Sequence, residues 1–144
     1  MEYKKNKIPD YIDVWNCFHD GSITQVEGEL PNIKLTIEIE YLRHIFSKDG
    51  DSIIAELKGC TFLEFLSWEN DEVLRNVEKI SAIEPEILSV EKVNNKAHII
   101  CGDGELDIIY EDVLFALDNG KPITILDIDT ASHKYWDEWE KNAK

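Results

Sequence analysis

The chain predicts an α+β fold: a mainly antiparallel sheet of seven or eight strands, with one short inserted helix and a carboxyl-terminal helix. Three observations predict it. In "NIKLTIEIEYL", Ile33, Leu35, Ile37, Ile39 and Tyr41 alternate with Lys34, Thr36, Glu38 and Glu40, the two-residue period of a half-buried strand. Turn signals recur at short intervals, as Pro31-Asn32, "SKDGDS", Asn94-Asn95 and "CGDG", so successive strands fold back on one another. The apolar period turns helical in only two places, "NDEVLRNVEKI" and "TASHKYWDEWEKN".

Taken in order, "WNCFHDGSI" (Trp15 to Ile23) reads as an anchored turn that launches the first strand. "SITQVEGEL" and "NIKLTIEIEYL" form the first hairpin, and "SIIAELKGC" and "TFLEFLSW" follow as further strands. In "NDEVLRNVEKI", Val73, Val77 and Ile80 recur at helical spacing. Asn70 stands as the cap, Asp71 and Glu72 in the first turn, and Arg75 and Lys79 later, all in agreement with the helix dipole. "EILSVEKV" and "KAHIIC" flank Asn94-Asn95 as a hairpin. In "CGDGELDIIYEDVLFAL" the residues Leu106, Ile108 and Tyr110 face inward while Glu105 and Asp107 face outward. "PITILDID" is the last strand. The closing helix gathers Tyr135, Trp136 and Trp139 on one face, and Asp137 and Lys141 form an i, i+4 pair.

At 144 residues, with no repeat or Pro/Gly/Ser-rich linker, the chain reads as a single domain spanning 1–144. An apolar fraction of 43% supports a core without disulfide staples. The net charge is −15, and −11 of it falls in residues 51–120. Such a surface repels phosphate backbones and anionic lipid, which excludes nucleic acid and membranes as expected partners and favours a basic protein. Cys17, Cys60 and Cys101 are odd in number, far apart and set among apolar neighbours. They suit buried, inert thiols in a reducing compartment. "MEYKKNKIPDYIDV" contains no apolar leader and no apolar run is long enough to span a bilayer, so a cytoplasmic location is expected.

The candidate sites are few. His19 and Asp20 are neighbours, and in extended backbone neighbours point to opposite sides, so they are poorly placed to chelate one ion. The expected arrangement has Asp20-Gly21 forming a turn, Phe18 buried, and His19 held by a carbonyl or carboxylate. His44, His98 and His133 supply no H-x-H or H-x-x-x-H spacing, and no metal site is expected. Asp127-Ile128-Asp129 opens like a calcium loop, but Ser132 stands where the sharp turn requires glycine. Asp103, Glu105 and Asp107 form an alternating acidic row; Glu105 and Asp107 are retained as binding candidates. "CGDGEL" is neither a dinucleotide fingerprint nor a phosphate loop. Pairing Cys17 with His19, or Cys101 with His98, lacks the neighbouring Lys or Arg that would activate a thiol. No catalytic residue and no cofactor are therefore assigned. Trp136 and Trp139 are residue types favoured as binding anchors, although an aromatic helical face also docks helices onto their own domain.

A Trp followed by Phe-His-Asp-Gly and a strand, an acidic β-rich body and a late Trp-containing helix resembles a group of small bacterial proteins with a W-x-x-F-H-D-G motif. Some of these resemble immunity proteins of polymorphic toxins. The resemblance rests on about ten residues near the start and on general layout, and carries over no catalytic residue. It implies an acidic interaction domain, immunity-like, that inhibits a basic partner. The alternative is an enzyme or small-ligand protein with a pocket around His19 and Asp20.

Overall fold

The computed structural model describes residues 8–142; the stretch read above as lacking an apolar leader begins outside that range. The fold is α+β, as expected, but the strands among the described residues number ten and divide into two antiparallel sheets of five. A 3-10 helix, Asp13–Phe18, opens the described chain. The first sheet holds β1 (Ser22–Glu29), β2 (Asn32–Glu38), β3 (Ser52–Lys58), β9 (Asp112–Leu117) and β10 (Pro122–Ile123), in that spatial order. The second holds β5 (Glu72–Leu74), β4 (Phe62–Ser67), β8 (Gly104–Ile109), β7 (Lys96–Cys101) and β6 (Ile87–Val93). Three helices complete it: α1 (Glu40–Phe46), α2 (Val77–Ile83) and α3 (Ile125–Asn142).

The sheets are joined because two long ribbons pass through both. β3 leads into β4 and β8 into β9, and the pairing survives the corner: Thr61 N donates to Ile109 O, and Glu111 N to Lys58 O, each at 2.9 Å. At the other side β6 meets the segment leading into β1, through Ile87 N to Gly21 O at 2.7 Å and Ile23 N to Pro85 O at 2.8 Å. The neighbour order therefore runs β1, β2, β3–β4, β9–β8, β7, β6 and back to its start. One core fills the space between the two sheets.

The alternation in β2 does what its period dictates. Ile33, Leu35, Ile37 and Ile39 are all buried, each contributing about 1.5–3 kcal/mol by removal from water. Trp15 and Phe18 are fully buried beneath the 3-10 helix, ring centroids 5.5 Å apart. The Trp15 indole donates to the Tyr110 hydroxyl at 2.7 Å, and that hydroxyl donates to the Tyr11 carbonyl. A buried indole and phenol are thus both satisfied.

Three element readings need correction. The strand pattern does not continue to Tyr41: β2 ends at Glu38, and Glu40–Phe46 is helical. Leu42, Ile45 and Phe46 supply an i, i+3, i+4 face that a two-residue period cannot reveal. The inserted helix is capped by Asn76, whose side chain accepts from Lys79 N at 3.0 Å, not by Asn70. Asn70 accepts instead from Glu72 N at 3.2 Å in a turn, and Val73 and Leu74 pair with β4. Pairing with a neighbouring strand outweighs local helical spacing there. Finally, "PITILDID" yields only the two-residue β10. Thr124 and Asp127 then form a capping box: Asp127 N donates to Thr124 Oγ1 at 3.0 Å, and Thr124 N to Asp127 Oδ2 at 2.9 Å. α3 consequently starts at Ile125, earlier than its aromatic face alone indicates.

One buried charge organises an end of the first sheet. Arg43 of α1 is fully buried. It donates through Nε to Asp118 at 2.8 Å, through Nη2 to Asp49 at 2.7 Å, and through Nη1 to the Ser47 carbonyl at 2.8 Å. Asp118 in turn accepts from Asp51 N and Ser52 N, each at 3.1 Å. The network ties α1 to the loop before β3 and to the turn after β9.

Candidate interaction surface

The 3-10 helix ends at Phe18, and Asp20 follows in the left-handed region at φ 72°. That backbone is not extended, so the rule that sends neighbours to opposite sides does not operate. The expectation for His19 and Asp20 is corrected accordingly: His19 Nε2 lies 3.5 Å from Asp20 Oδ1. His19 Nδ1 lies 2.7 Å from the Leu88 carbonyl. A carbonyl can only accept, so Nδ1 carries the hydrogen and donates. His19 is thus held by main chain, as expected, while its side chain stays 46% exposed.

The same turn meets both helices of this end. The Tyr41 hydroxyl of α1 donates to the His19 carbonyl at 2.7 Å. Its ring centroid lies 4.3 Å from that of Tyr135 and 5.8 Å from that of Trp136, both on α3. Trp136 then meets Trp139 edge-on at 5.8 Å. The Tyr41–Trp136 and Trp136–Trp139 contacts are edge-to-face, which suits the ring quadrupoles, and Tyr41–Tyr135 is tilted at 43°. Four of the six residues singled out in the sequence are therefore brought to one end of the molecule, with Tyr41 as the joint.

α3 explains why the tryptophans are exposed. Ile125, Ile128, Ser132, Tyr135 and Trp139 follow a 3, 4, 3, 4 spacing along one stripe. Ile128 and Ser132 are buried and Tyr135 half-buried, while Trp136 is 36% and Trp139 55% exposed. The stripe that docks the first turns continues past the body that buries it. Self-docking thus accounts for the start of the helix and leaves Trp139, at the end of the stripe, largely exposed, with Trp136 one position off the stripe against Tyr41.

Cys17 and Tyr41 at this end are held in inert forms. Burial pushes the Cys17 thiol up to about 11, reinforced by the Asp129 charge and opposed by the Ser132 hydroxyl. Tyr41 is likewise pushed up by burial, then by the charge of Asp20. A raised thiol and a phenol donating to main chain offer no activated nucleophile. Aromatic faces beside a carboxylate instead suit a guanidinium or ammonium from another chain.

Glu105 and Asp107 lie elsewhere, on the outward face of the second sheet. They do not stand as an unpartnered acidic row, because β7 sets His98 directly across from Asp107. His98 Nδ1 lies 2.5 Å from Asp107 Oδ1, and Nε2 lies 3.2 Å from Glu105 Oε1. Trp68 Nε1 donates to Glu105 at 2.7 Å, and Lys96 Nζ lies 3.7 Å from Asp107. These are cross-strand partners that fasten the sheet. The signal was in the sequence: a two-residue turn at Gly102-Asp103 places His98 opposite Asp107. Among the described residues no group of three or more His, Cys, Asp and Glu is arranged to hold a metal ion. Among the described residues no helix is long and apolar enough to cross a membrane.

Comparison with family models, curated proteins and solved structures finds no match for this chain.

Proposed function

We propose that this chain is an acidic protein-interaction domain that binds a basic protein partner and, by covering it, inhibits it, as an immunity protein does a toxin. The observation that carries the reading is the pair Trp136 and Trp139, exposed at the overhanging end of α3 and backed by Tyr135 and Tyr41. Backing rings hold an exposed indole in place before any partner arrives, which reduces the ordering cost of binding. Asp20, 54% exposed and near enough to Tyr41 for its charge to act there, and a net charge of −15 supply complementarity to a basic surface. The alternative, an enzyme or small-ligand protein centred on His19 and Asp20, has less support, because the His19 ring is bonded to the Leu88 carbonyl.

The test is capture from the native host with the intact chain as bait, followed by rebinding of the purified partner. The expected partner is basic, and its association rate falls by about tenfold or more as salt rises from roughly 0.05 to 0.5 M. A neutral or acidic partner whose association ignores salt would reject the reading.

A further inference from the structure

The outward face of the first sheet carries an apolar groove of about 680 Å³ between β3, β9 and the corner where β10 turns into α3. Ile54, Leu114, Ala116, Pro122, Ile125 and Leu126 supply its apolar wall. Leu114 and Leu126 are 54% and 52% exposed and border the same groove, so they form a contiguous apolar patch. The only charged residues in the wall, Glu56 and Asp112, are acids.

Three features decide what could occupy it. An added strand is disfavoured. Leu117 N donates toward Lys121, which places the main-chain groups of Leu117, Phe115 and Val113 on the outer edge of β9. β10 takes the first two, and the Val113 N–H is already bonded to Asp112 Oδ1 at 2.9 Å. The N–H that a strand continuing β10 along β9 would need is therefore taken by the protein's own carboxylate. A second copy is also disfavoured, because it would set two chains of −15 together across a wall whose charges are both negative. The remaining fit is a segment that contributes apolar side chains to the wall and positive charge to its rim.

We infer that this groove seats an amphipathic segment of a basic protein, with apolar anchors between Leu114 and Leu126 and a Lys or Arg reaching Asp112 and Glu56. The inference rests on the interaction-domain reading and adds a second contact surface to it, apart from the tryptophans of α3. Glu56 is shared with Lys58 at 2.7 Å, while Asp112 gives Oδ1 to the Val113 N–H at 2.9 Å and offers its other oxygen to an incoming cation.

The experiment uses two synthetic amphipathic helical peptides of about 18 residues, one with Leu and Lys faces and the other with Leu and Glu faces. Each is titrated into the isotope-labelled full chain, with amide shifts and affinity as readouts. The expected result is that the Leu/Lys peptide shifts the amides of Ile54, Leu114, Ala116 and Leu126, and binds about tenfold or more tighter than the Leu/Glu peptide. Replacing both exposed leucines (Leu114→Ser with Leu126→Ser) then weakens it by about tenfold or more. Their exposure leaves the fold intact, which an unchanged amide spectrum elsewhere confirms. Equal binding of both peptides, or binding of neither, overturns the inference. Shifts confined to the end of α3 also overturn it, while leaving the interaction-domain reading standing.

Discussion

Replacing Arg43 with Ala removes the one fully buried cation among the described residues. The guanidinium donates to Asp118, Asp49 and the Ser47 carbonyl and hydroxyl, at 2.7 to 3.0 Å. Asp49 is 55% exposed and recovers water when its partner is lost, but Asp118 is 28% exposed and stays committed to the amides of Asp51 and Ser52. Truncation therefore leaves a partly buried carboxylate without its cation and a void where the side chain lay. Breaking a buried pair from one side costs about 3–5 kcal/mol, and the exposure of Asp49 places the expectation near the lower end. Urea unfolding followed by tryptophan fluorescence measures it. The pH dependence is a second readout. Hydrogen bonds from Ser47, Asn119 and Arg43 hold Asp49 below the usual carboxylate range, and for Asp118 the opposing effect of burial is outweighed by hydrogen bonds from Arg43 and the Asp51 and Ser52 amides. Their contribution is therefore present above an unfolded value of about 3.9 and is lost as pH falls through the folded one. In the variant that acid-side loss is shallower. A cost under about 1 kcal/mol, with an unchanged acid limb, would refute the role assigned to the network.

Further expectations concern the core, the thiols and the start of α3. Tyr110→Phe leaves the Trp15 indole without its acceptor and the Tyr11 carbonyl without its donor, at a cost of about 1–3 kcal/mol in urea unfolding. An unchanged midpoint would contradict that account. Burial raises Cys17 to about 11 and Cys101 to about 12, and raises Cys60 as well. At pH 8 about one Cys17 in a thousand is thiolate, so a thiol reagent labels the native chain slowly and the unfolded chain at once; rapid native labelling would show open cysteines. Thr124→Ala breaks one arm of the capping box and costs about 1 kcal/mol, seen as a lower midpoint with the amide shifts of β9 preserved. A neutral outcome would mean that packing alone fixes the start of the helix.

The sheet content and the closing helix were legible because period-two alternation and turn residues are local signals. Ile33 through Ile37 and the Asn94-Asn95 hairpin lie where the sequence indicates. The division into two sheets was not legible. It depends on β3–β4 and β8–β9 keeping their pairing through a corner at Cys60 and Tyr110, a long-range event without a local mark. α1 was hidden because Ile39 and Tyr41 prolong the strand alternation by chance, and its anchor, Arg43, reads as one charge among many. At the candidate surface, the sequence named His19, Asp20, Trp136 and Trp139 but not Tyr41, the residue that joins them. The contact between His19 and Asp20 was missed because an alternation argument was applied to a turn, where φ at Asp20 is positive.

The central claim is that the exposed tryptophans form a binding surface. Its most direct test is the affinity of the captured, purified partner for the wild-type chain and for the Trp136→Ala, Trp139→Ala double variant, with folding of the variant checked by its unfolding midpoint. Anchor tryptophans at an interface are worth about 2–4 kcal/mol, so the dissociation constant is expected to rise by about thirty- to a thousandfold. A folded double variant that binds as tightly as the wild type would contradict the account.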